Sequence, residues 1–366
     1  MKKNNKKTVM VNPVTIGIDL GDKYSRYYVV DECGGFVESG SVWNTEASVH
    51  KHFAGLPPAR IAIEAGARTH WWADLLRSFG HEVIVANSRE FAAGRGRRKN
   101  DDADAERLAR YARLDPTLLK PVTLRSAEQQ ADLSHLRVRD GLVRTRTLLV
   151  NMARGLAKEA ACRLPASLTN TFGRRSLEVL PAGLGTVLAP VLESIDDLTR
   201  KIEAEEETIY KLCTQKYPET QYLLSVAGVG PITALTYVLT LGAPERFQHS
   251  RDVGAYLGLQ PAQRQSGNSD PQLGISKQGN GQLRRLLVQC AHHILGPFGK
   301  PSRLRDWGLA MAYRGAKNAG KRAITAVARK LAVLLHRLWR DRAFYQPFYP
   351  SENASSRRAR GLASAI

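Results

Sequence analysis

The stretch Val14-Thr-Ile-Gly-Ile-Asp-Leu-Gly21 decides the fold expected for the first part of the chain. It is apolar and rich in β-branched residues, which is typical of a buried strand, and it ends in a carboxylate followed by glycine. Further runs of strand character occupy residues 27–31, 35–43, 60–64 and 81–86. Gly34-Gly35 predicts a turn, and the amphipathic segment Trp71–Phe79 predicts a helix. Three antiparallel strands followed by helix-connected strands indicate an α/β domain.

Charge is the most informative bulk property of the sequence. The 366 residues include 54 Lys and Arg against 34 Asp and Glu, which gives a formal net charge of +20. A folded protein carries this self-repulsion most readily when its partner is a polyanion, and phosphate backbones are the commonest candidate. A basic soluble protein without such a partner is the alternative. The apolar fraction of 43% is ordinary for a chain that buries a core.

The cysteines and the N-terminus bear on the cellular compartment. The basic start of the chain lacks the apolar segment of a signal peptide, and no apolar stretch is long enough to span a bilayer. We therefore expect a soluble, cytoplasmic protein. The cysteines are far apart and form no C-x-x-C pair, which argues against a zinc site or a disulfide framework. They are Cys33, Cys162, Cys213 and Cys290.

From residue 101 to about residue 213 the pattern becomes helical. Apolar residues recur at steps of three and four, as in the seam of a coiled coil, and Glu205 occupies the one position of this series that is not apolar. This predicts an antiparallel helical hairpin or an oligomerising coiled coil, and a helix packed on its own domain is the alternative. The seam residues are Ile195, Leu198, Ile202, Ile209 and Leu212. A second, mainly helical domain with glycine-rich loops and basic helices is expected from about Gln221.

Four carboxylates occur where a metal site would need them. Asp19 and Glu64 end the first and fourth strands, and each is followed two residues later by a glycine. Asp101 and Asp104 are three residues apart at the start of a helix, so they project from one face. In an RNase H-like sheet the first and fourth strands are neighbours, which would bring the four acids together. Alone, Asp19 could simply end a strand and Asp101 could cap its helix.

A cluster of carboxylates is stable only when a cation offsets its repulsion. Mg²⁺ (or Mn²⁺) prefers oxygen ligands, and two such ions can activate a nucleophile and stabilise the leaving oxygen of a phosphodiester. The four acids together therefore predict a metal-dependent site for phosphodiester chemistry.

Other segments are candidates for contact with nucleic acid. Residues 224–234 resemble the hairpin of a helix-hairpin-helix, in which Gly228 and Gly230 would let backbone N–H groups approach a phosphate. A tight turn between packed helices is the alternative. The basic candidates are Arg95, Arg97, Arg98 and Lys99 beside the acids, and Arg284, Arg285, Lys321 and Arg322 on the C-terminal helices.

A serine loop precedes the basic C-terminal helices. Ser266 stands before Gly267 in a polar stretch. Its chemistry alone does not rank it above Ser269 or Ser276, and a lone loop serine is usually structural.

Taken jointly, these motifs resemble the DEDD insertion-sequence transposases, which are bridge-RNA-guided serine recombinases. The resemblance covers roughly residues 14–340 and implies a RuvC-like N-terminal domain and a C-terminal transposase domain. The matching motifs are Gly17-Ile-Asp-Leu-Gly21, Ile63-Glu-Ala-Gly66, Lys99-Asn-Asp-Asp-Ala-Asp-Ala105, Gly228-Val-Gly230, Gly258-Leu-Gln-Pro261, Gln265-Ser-Gly267 and Gly279-Asn280 with Leu283-Arg284.

The resemblance also implies a mechanism. Asp19, Glu64, Asp101 and Asp104 would bind the metal, and Ser266 would be the nucleophile that joins covalently to DNA. In a homo-oligomer, a dimer or tetramer, the serine of one subunit would meet the carboxylates of another. A structured guide RNA would pair with both donor and target DNA.

The sequence is accordingly expected to comprise five segments. They are a basic disordered tail (1–13), an RNase H-like (RuvC-like) catalytic domain (14–125), a helical coiled-coil connector (126–220), a C-terminal transposase domain with the helix-hairpin-helix motif and the serine loop (221–345), and a basic tail (346–366).

Three other functions are alternative interpretations of these motifs. A RuvC-like Holliday-junction resolvase would have the same acids but would use water as the nucleophile, and it would not need the Ser266 loop. A sugar-kinase or actin-like ATPase has a first phosphate loop similar to Asp19-Leu-Gly21, but the second such loop is missing here. An inactive nucleic-acid-binding protein is disfavoured because all four acids and the serine are present.

Overall fold

Within the part of the chain that the computed structural model describes, residues up to 127 form an α/β unit. The described residues are 14–88, 101–166, 171–264, 271, 273–315 and 318–348. The strands are β1 Thr15–Asp19, β2 Tyr24–Val30, β3 Phe36–Trp43, β4 Arg60–Glu64 and β5 Glu82–Ala86. The helices are α1 Glu46–Phe53, α2 Thr69–Ser78 and α3 Asp101–Leu114, followed by a 3₁₀ turn at Pro116–Leu119.

The strands form one mixed sheet in the order β3-β2-β1-β4-β5. β1 pairs antiparallel with β2 and parallel with β4, and β5 pairs parallel with β4. This arrangement confirms the predicted α/β domain and is compatible with an RNase H-like fold. Helix α1 was not predicted, because its mostly polar sequence buries only Val49 and Phe53.

The two faces of the sheet carry different side chains. The isoleucines of β1 and β4 point to one face, where they pack with Phe53 of α1 and Trp72 of α2. Because side chains alternate along a strand, Gly17 and Ala62 point to the opposite face. Helix α3 covers that face, with Leu108 packed in the same cluster as Ala62.

Gly17 allows the backbone of α3 to approach β1 directly. A Cβ atom at this position would lie 2.1 Å from the carbonyl oxygen of Ala105 and 2.4 Å from the backbone nitrogen of Ala109. Both neighbours are backbone atoms of a helix and cannot rotate away as a side chain can. The glycine therefore sets how closely the first part of α3 packs on the sheet.

We expect Gly17→Ala to lower the free energy of unfolding by about 3 kcal/mol, the upper range for overpacking a core position. Urea denaturation measures this loss. The matched control is Gly55→Ala, because an added Cβ there meets nothing within 4 Å, and it should change stability by less than about 0.5 kcal/mol. Equal losses in the two variants would contradict the packing argument.

Residues 128–366 form the second unit, and its described part is mostly helical, as predicted. No helix of the described residues is long and apolar enough to cross a membrane. The helices are α4 Ala127–Glu159, α5 Phe172–Leu177, α6 Ala182–Lys211 (continued by a π turn at Leu212–Lys216), α7 Thr220–Leu224, α8 Pro231–Leu241, α9 Asp252–Tyr256, α10 Gly281–Leu295, α11 Arg303–Ala312 and α12 Ala319–Arg340.

Helices α4 and α6 lie side by side in opposite directions. His135, early in α4, contacts Glu205, late in α6, at 2.8 Å between Nδ1 and Oε2. Ala157, near the end of α4, packs in one cluster with Leu188 and Leu192 from the first half of α6. The chain thus forms an antiparallel helical hairpin on its own, whereas oligomerisation through this hairpin stays a prediction.

Helix α8 is the centre of the second unit. Every residue from Thr233 to Leu241 is buried, and residues of α10 and α12 share its apolar core. The Tyr237 hydroxyl donates to the carbonyl oxygen of Ala332 at 2.6 Å. This core therefore joins α8, α10 and α12 into one packed group of helices.

Candidate functional site

The ends of β1 and β4 place two carboxylates side by side. Ile18 and Ile63 are register partners in this parallel pair. The next residues, Asp19 and Glu64, therefore end neighbouring strands at the same edge of the sheet. Each lies two residues beyond a position that α3 covers, so both point to the α3 face.

Helix α3 runs antiparallel to these two strands. It meets the middle of β1 where Ala105 lies over Gly17. Further along the helix, the carbonyl oxygen of Ala112 accepts a hydrogen bond from Nη1 of Arg60, the first residue of β4, at 3.3 Å. The first turn of α3 consequently lies toward the edge where β1 and β4 end.

Asp101 and Asp104 belong to this first turn. Asp101 is about 6 Å along the helix from Ala105, and Asp19 is about 7 Å along β1 from Gly17. Ala105 and Gly17 contact each other, and from this contact Asp101 and Asp19 both lie toward the end of the sheet where β1 and β4 terminate. The backbone therefore brings all four predicted acids to this end and to one face of the sheet.

Arginines counter the negative charge at this edge. Asp104 is 5% exposed, and its Oδ1 accepts a hydrogen bond from Nη2 of Arg107 at 3.1 Å. Asp102 pairs with Arg26 at 3.4 Å between Oδ1 and Nε, and Arg26 is the register partner of Asp19. Neither arginine was predicted from the sequence as part of the site. The three-residue spacing could have indicated Arg107, but Arg26 depends on a strand register that the sequence does not display.

The donor set fits a hard divalent cation in its chemistry, since four carboxylates offer only oxygen. Within the described residues, however, no group of three or more His, Cys, Asp or Glu side chains is arranged to hold a metal ion. Carboxylates repel one another when no cation joins them, and Arg107 holds Asp104 in this structure. Binding of an ion by the four acids together therefore stays a prediction.

The base of the predicted serine loop is formed by two paired segments. Ser266 itself lies outside the described residues, as do Arg95, Arg97, Arg98 and Lys99. Ala262 N donates to the Gly274 carbonyl oxygen and Ser276 N to that of Gln260, both at 2.9 Å. Asn280 then caps α10 by accepting from Leu283 N at 3.0 Å. Residues 260–262 and 274–276, which precede and follow the segment that contains Ser266, are therefore paired with each other.

The Gly228-Val-Gly230 turn joins α7 to α8. Gly228 has a φ of 94°, and a Cβ there would lie 2.9 Å from Cδ2 of His293 on α10. A glycine at this position is thus explained by backbone conformation and close packing. Gly230 precedes α8, and no described atom lies within 4 Å of where its Cβ would be. Phosphate contact at this open position stays a prediction.

Two of the C-terminal basic candidates have partners within the chain. Nη1 of Arg284 donates to the carbonyl oxygens of Leu257 and Gln278, at 2.9 and 2.6 Å, and so braces the base of the serine loop. Arg285 pairs with Asp140 at 2.8 Å. Burial alone would raise the pKa of Asp140, but hydrogen bonds from Arg144 and Arg285 lower it below its ordinary value. The other two candidates, Lys321 and Arg322, are exposed in the first turn of α12.

Two protein families match the chain. A profile described as "Transposase" matches residues 16–161, and one described as "Transposase IS116/IS110/IS902 family" matches residues 220–304. These segments include all four acids and the glycine turn, and the second spans the serine loop.

Known proteins similar to the chain carry the same description. It is 31% identical over 348 residues to a probable family 20 transposase of Pseudomonas aeruginosa, covering 92% of this chain and 100% of that protein. It is 30% identical over 327 residues to the transposase for insertion sequence element IS1328 of Yersinia enterocolitica, covering 88% and 96%. It is 29% identical over 329 residues to the transposase for insertion sequence element IS1111A of Coxiella burnetii, covering 87% and 88%.

Proposed function

This chain belongs to the DEDD insertion-sequence transposases, and we propose that it cuts and rejoins DNA strands at a composite site of four carboxylates and Ser266. Transposase activity makes it a DNA-processing enzyme. The observation that supports the carboxylate half is the meeting of Asp19, Glu64 and the first turn of α3 at one edge and face of the sheet.

Asp19, Glu64, Asp101 and Asp104 would hold Mg²⁺ (or Mn²⁺) in an RNase H-like, RuvC-like domain. When bound, such an ion supplies positive charge that favours a nucleophile and the leaving oxygen of a phosphodiester. Arg107 orients Asp104, and Arg26 lies beside Asp19, where it can contact a phosphate of the strand.

The nucleophile is the hydroxyl oxygen of Ser266. It forms a bond to phosphorus while the bond from phosphorus to one strand oxygen breaks, and the serine proton ends on the leaving oxygen. The resulting phosphodiester between Ser266 and the strand retains the bond needed for rejoining. The hydroxyl oxygen of a second strand end then bonds to phosphorus while the bond from phosphorus to the serine oxygen breaks, and the proton of that hydroxyl returns to Ser266. A serine needs activation at neutral pH, and its neighbours Gln265, Gly267 and Asn268 offer no base. The activating groups must therefore come from elsewhere, and in the composite site that we propose they are the carboxylates of another subunit.

A structured guide RNA directs this chemistry by pairing with donor and target DNA. The net charge of +20 supports binding of such polyanions. The proposed assembly is a dimer or tetramer joined through the α4–α6 hairpin as a coiled coil, with residues 221–345 as a transposase domain that contacts DNA through the Gly228–Gly230 turn. Sequencing of RNA that copurifies with the chain tests the guide, and random cellular RNA alone would contradict it.

Strand exchange is the assay that tests the function itself. The purified protein with its copurified RNA is incubated with Mg²⁺, target DNA and DNA carrying the junction of its own element. We expect recombinant junctions to form without a nucleotide cofactor. Accumulation of hydrolysed ends with no junctions would favour the resolvase mechanism instead.

Nucleic-acid binding should weaken steeply as salt is raised, because each neutralised phosphate releases counterions. The log–log slope for duplex DNA is about −0.9 per contact, and changing both Lys321 and Arg322 to Gln should reduce its magnitude by up to about 2. The matched control changes Arg200 and Lys201, which already pair with Asp197. Fluorescence anisotropy across a salt series measures both slopes. An unchanged slope in the Lys321 and Arg322 variant would remove these residues from the interface.

A further inference from the structure

Two large aromatic side chains are exposed at the end of the sheet where β1 and β4 terminate and the acids lie. Trp43, the last residue of β3, is 61% exposed, and Tyr24, the first residue of β2, is 47% exposed. They are register partners across the antiparallel β2–β3 pair. Their rings meet edge to face with centroids 6.3 Å apart. We refer to Tyr24 and Trp43 as the aromatic pair.

The aromatic pair lies on the same face as Asp19. Arg26 is the partner of Asp19 across β1 and β2, and directly opposed residues share a face. Tyr24 is two residues from Arg26, so it also shares that face. As the diagonal neighbour of Asp19 it is about 7–8 Å away between Cα atoms, a distance that one nucleotide can span.

Arg26 links the acids to the aromatic pair. Its guanidinium lies 5.9 Å from the centroid of the Tyr24 ring, and its Nε lies 3.4 Å from Oδ1 of Asp102. A phosphate that approached Asp19 would therefore meet a cation on one side, and beyond that cation two exposed ring surfaces.

The aromatic pair differs from the other exposed aromatic residue of β3 in its position, not in its exposure. At the other end of the same two strands, Phe36 is 59% exposed and packs on Tyr28 at 5.1 Å between centroids, and Arg110 of α3 lies over Tyr28, but none of the four predicted acids lies at that end. β3 is an edge strand of the described sheet, where an exposed apolar patch favours unwanted association. What sets Tyr24 and Trp43 apart is that their exposed rings lie beside Asp19 and Arg26, and this position indicates a ligand that combines a phosphate with an aromatic face.

We propose that the aromatic pair stacks on an unpaired nucleobase next to the phosphate that the acids engage, with Arg26 contacting the adjoining phosphodiester. The ligand class is thus a nucleotide of an unpaired DNA or RNA strand. Base stacking on aromatic side chains is tolerant of sequence because every base has a π face. The proposal rests on the proposed function for its position beside the scissile phosphate, but the stacking itself does not require cleavage.

Equilibrium binding of short single-stranded oligonucleotides to the full chain, with EDTA present, tests the stacking without any cutting. We expect Trp43→Ala to weaken binding about tenfold, which corresponds to about 1.4 kcal/mol for one stacked base. Trp43→Phe should retain most of the affinity because it keeps a ring. Phe36→Ala is the matched control, since Phe36 is also exposed on β3 but lies at the end remote from Asp19. Equal losses for Trp43→Ala and Phe36→Ala would overturn the proposal.

A second comparison separates stacking from a general loss of structure. A series of oligonucleotides is made in which each member lacks one base at a different position. One member should bind wild-type protein about tenfold more weakly than the intact strand does, because it lacks the stacked base. The Trp43→Ala variant should bind that member and the intact strand with equal affinity. Additive losses throughout the series would contradict stacking. Matched DNA and RNA strands show which nucleic acid supplies the base. If Trp43→Ala binds as wild type does and the wild-type protein exchanges strands, only the stacking is refuted. If Trp43→Ala binds more weakly but the wild-type protein makes no recombinants, only the proposed function is refuted.

Discussion

Asp19→Asn should lower the rate of DNA strand cleavage at least about a hundredfold while leaving the affinity for DNA and RNA nearly unchanged. The carboxylate ends β1 beside Glu64, and the amide that replaces it is isosteric but neutral, so β1 and its contact with α3 persist. A metal-assisted phosphodiester step owes several kcal/mol to its ions, and each 1.36 kcal/mol is tenfold in rate. Cleavage of labelled junction DNA, followed on denaturing gels, measures the loss.

The matched control for this variant is Asp22→Asn. Asp22 follows β1 by three residues, its side chain is 93% exposed, and it pairs with Arg68 at 3.5 Å. Removal of this acid changes the net charge by the same amount, so it separates a specific role from a general charge effect. A loss of cleavage in Asp22→Asn as large as that in Asp19→Asn would contradict the assignment of the four acids.

Ser266→Ala should abolish strand exchange, because water cannot conserve the phosphodiester bond for rejoining as a serine ester does. The expected loss is complete within the detection limit of a junction-specific amplification assay. Ser269→Ala is the control, since it makes the same chemical change three residues away in the same segment. Recombinant junctions formed by Ser266→Ala would show that another group attacks the phosphate.

The strands could be predicted because their signals are local, whereas the role of the four acids stays a prediction. Each strand is a short apolar run, and β4 has the bounds that the sequence predicted, Arg60–Glu64. Alternation along β1 then fixes which side chains share a face. Gly17 marks the place where α3 approaches the sheet, and this in turn brings Asp101 toward Asp19.

Features that depend on pairing between distant segments could not be predicted. Arg26 lies beside Asp19, and Trp43 opposite Tyr24, only because β1, β2 and β3 adopt one particular register. The pairing partners of the carboxylates could not be predicted from the sequence either. Arg107 binds Asp104 in this structure, and the closed four-acid group that the motifs predicted stays a prediction.

The most direct test of a serine recombinase is to trap the bond between protein and DNA. Wild-type protein with its RNA, Mg²⁺ and labelled junction DNA is quenched in denaturant during exchange, and the labelled protein band is digested and sequenced by mass spectrometry. We expect a denaturant-resistant adduct on the peptide that contains Ser266, lost in Ser266→Ala and in Asp19→Asn and retained in Ser269→Ala. Efficient cleavage by wild-type protein with no adduct, or an adduct that persists in Ser266→Ala, would contradict the account.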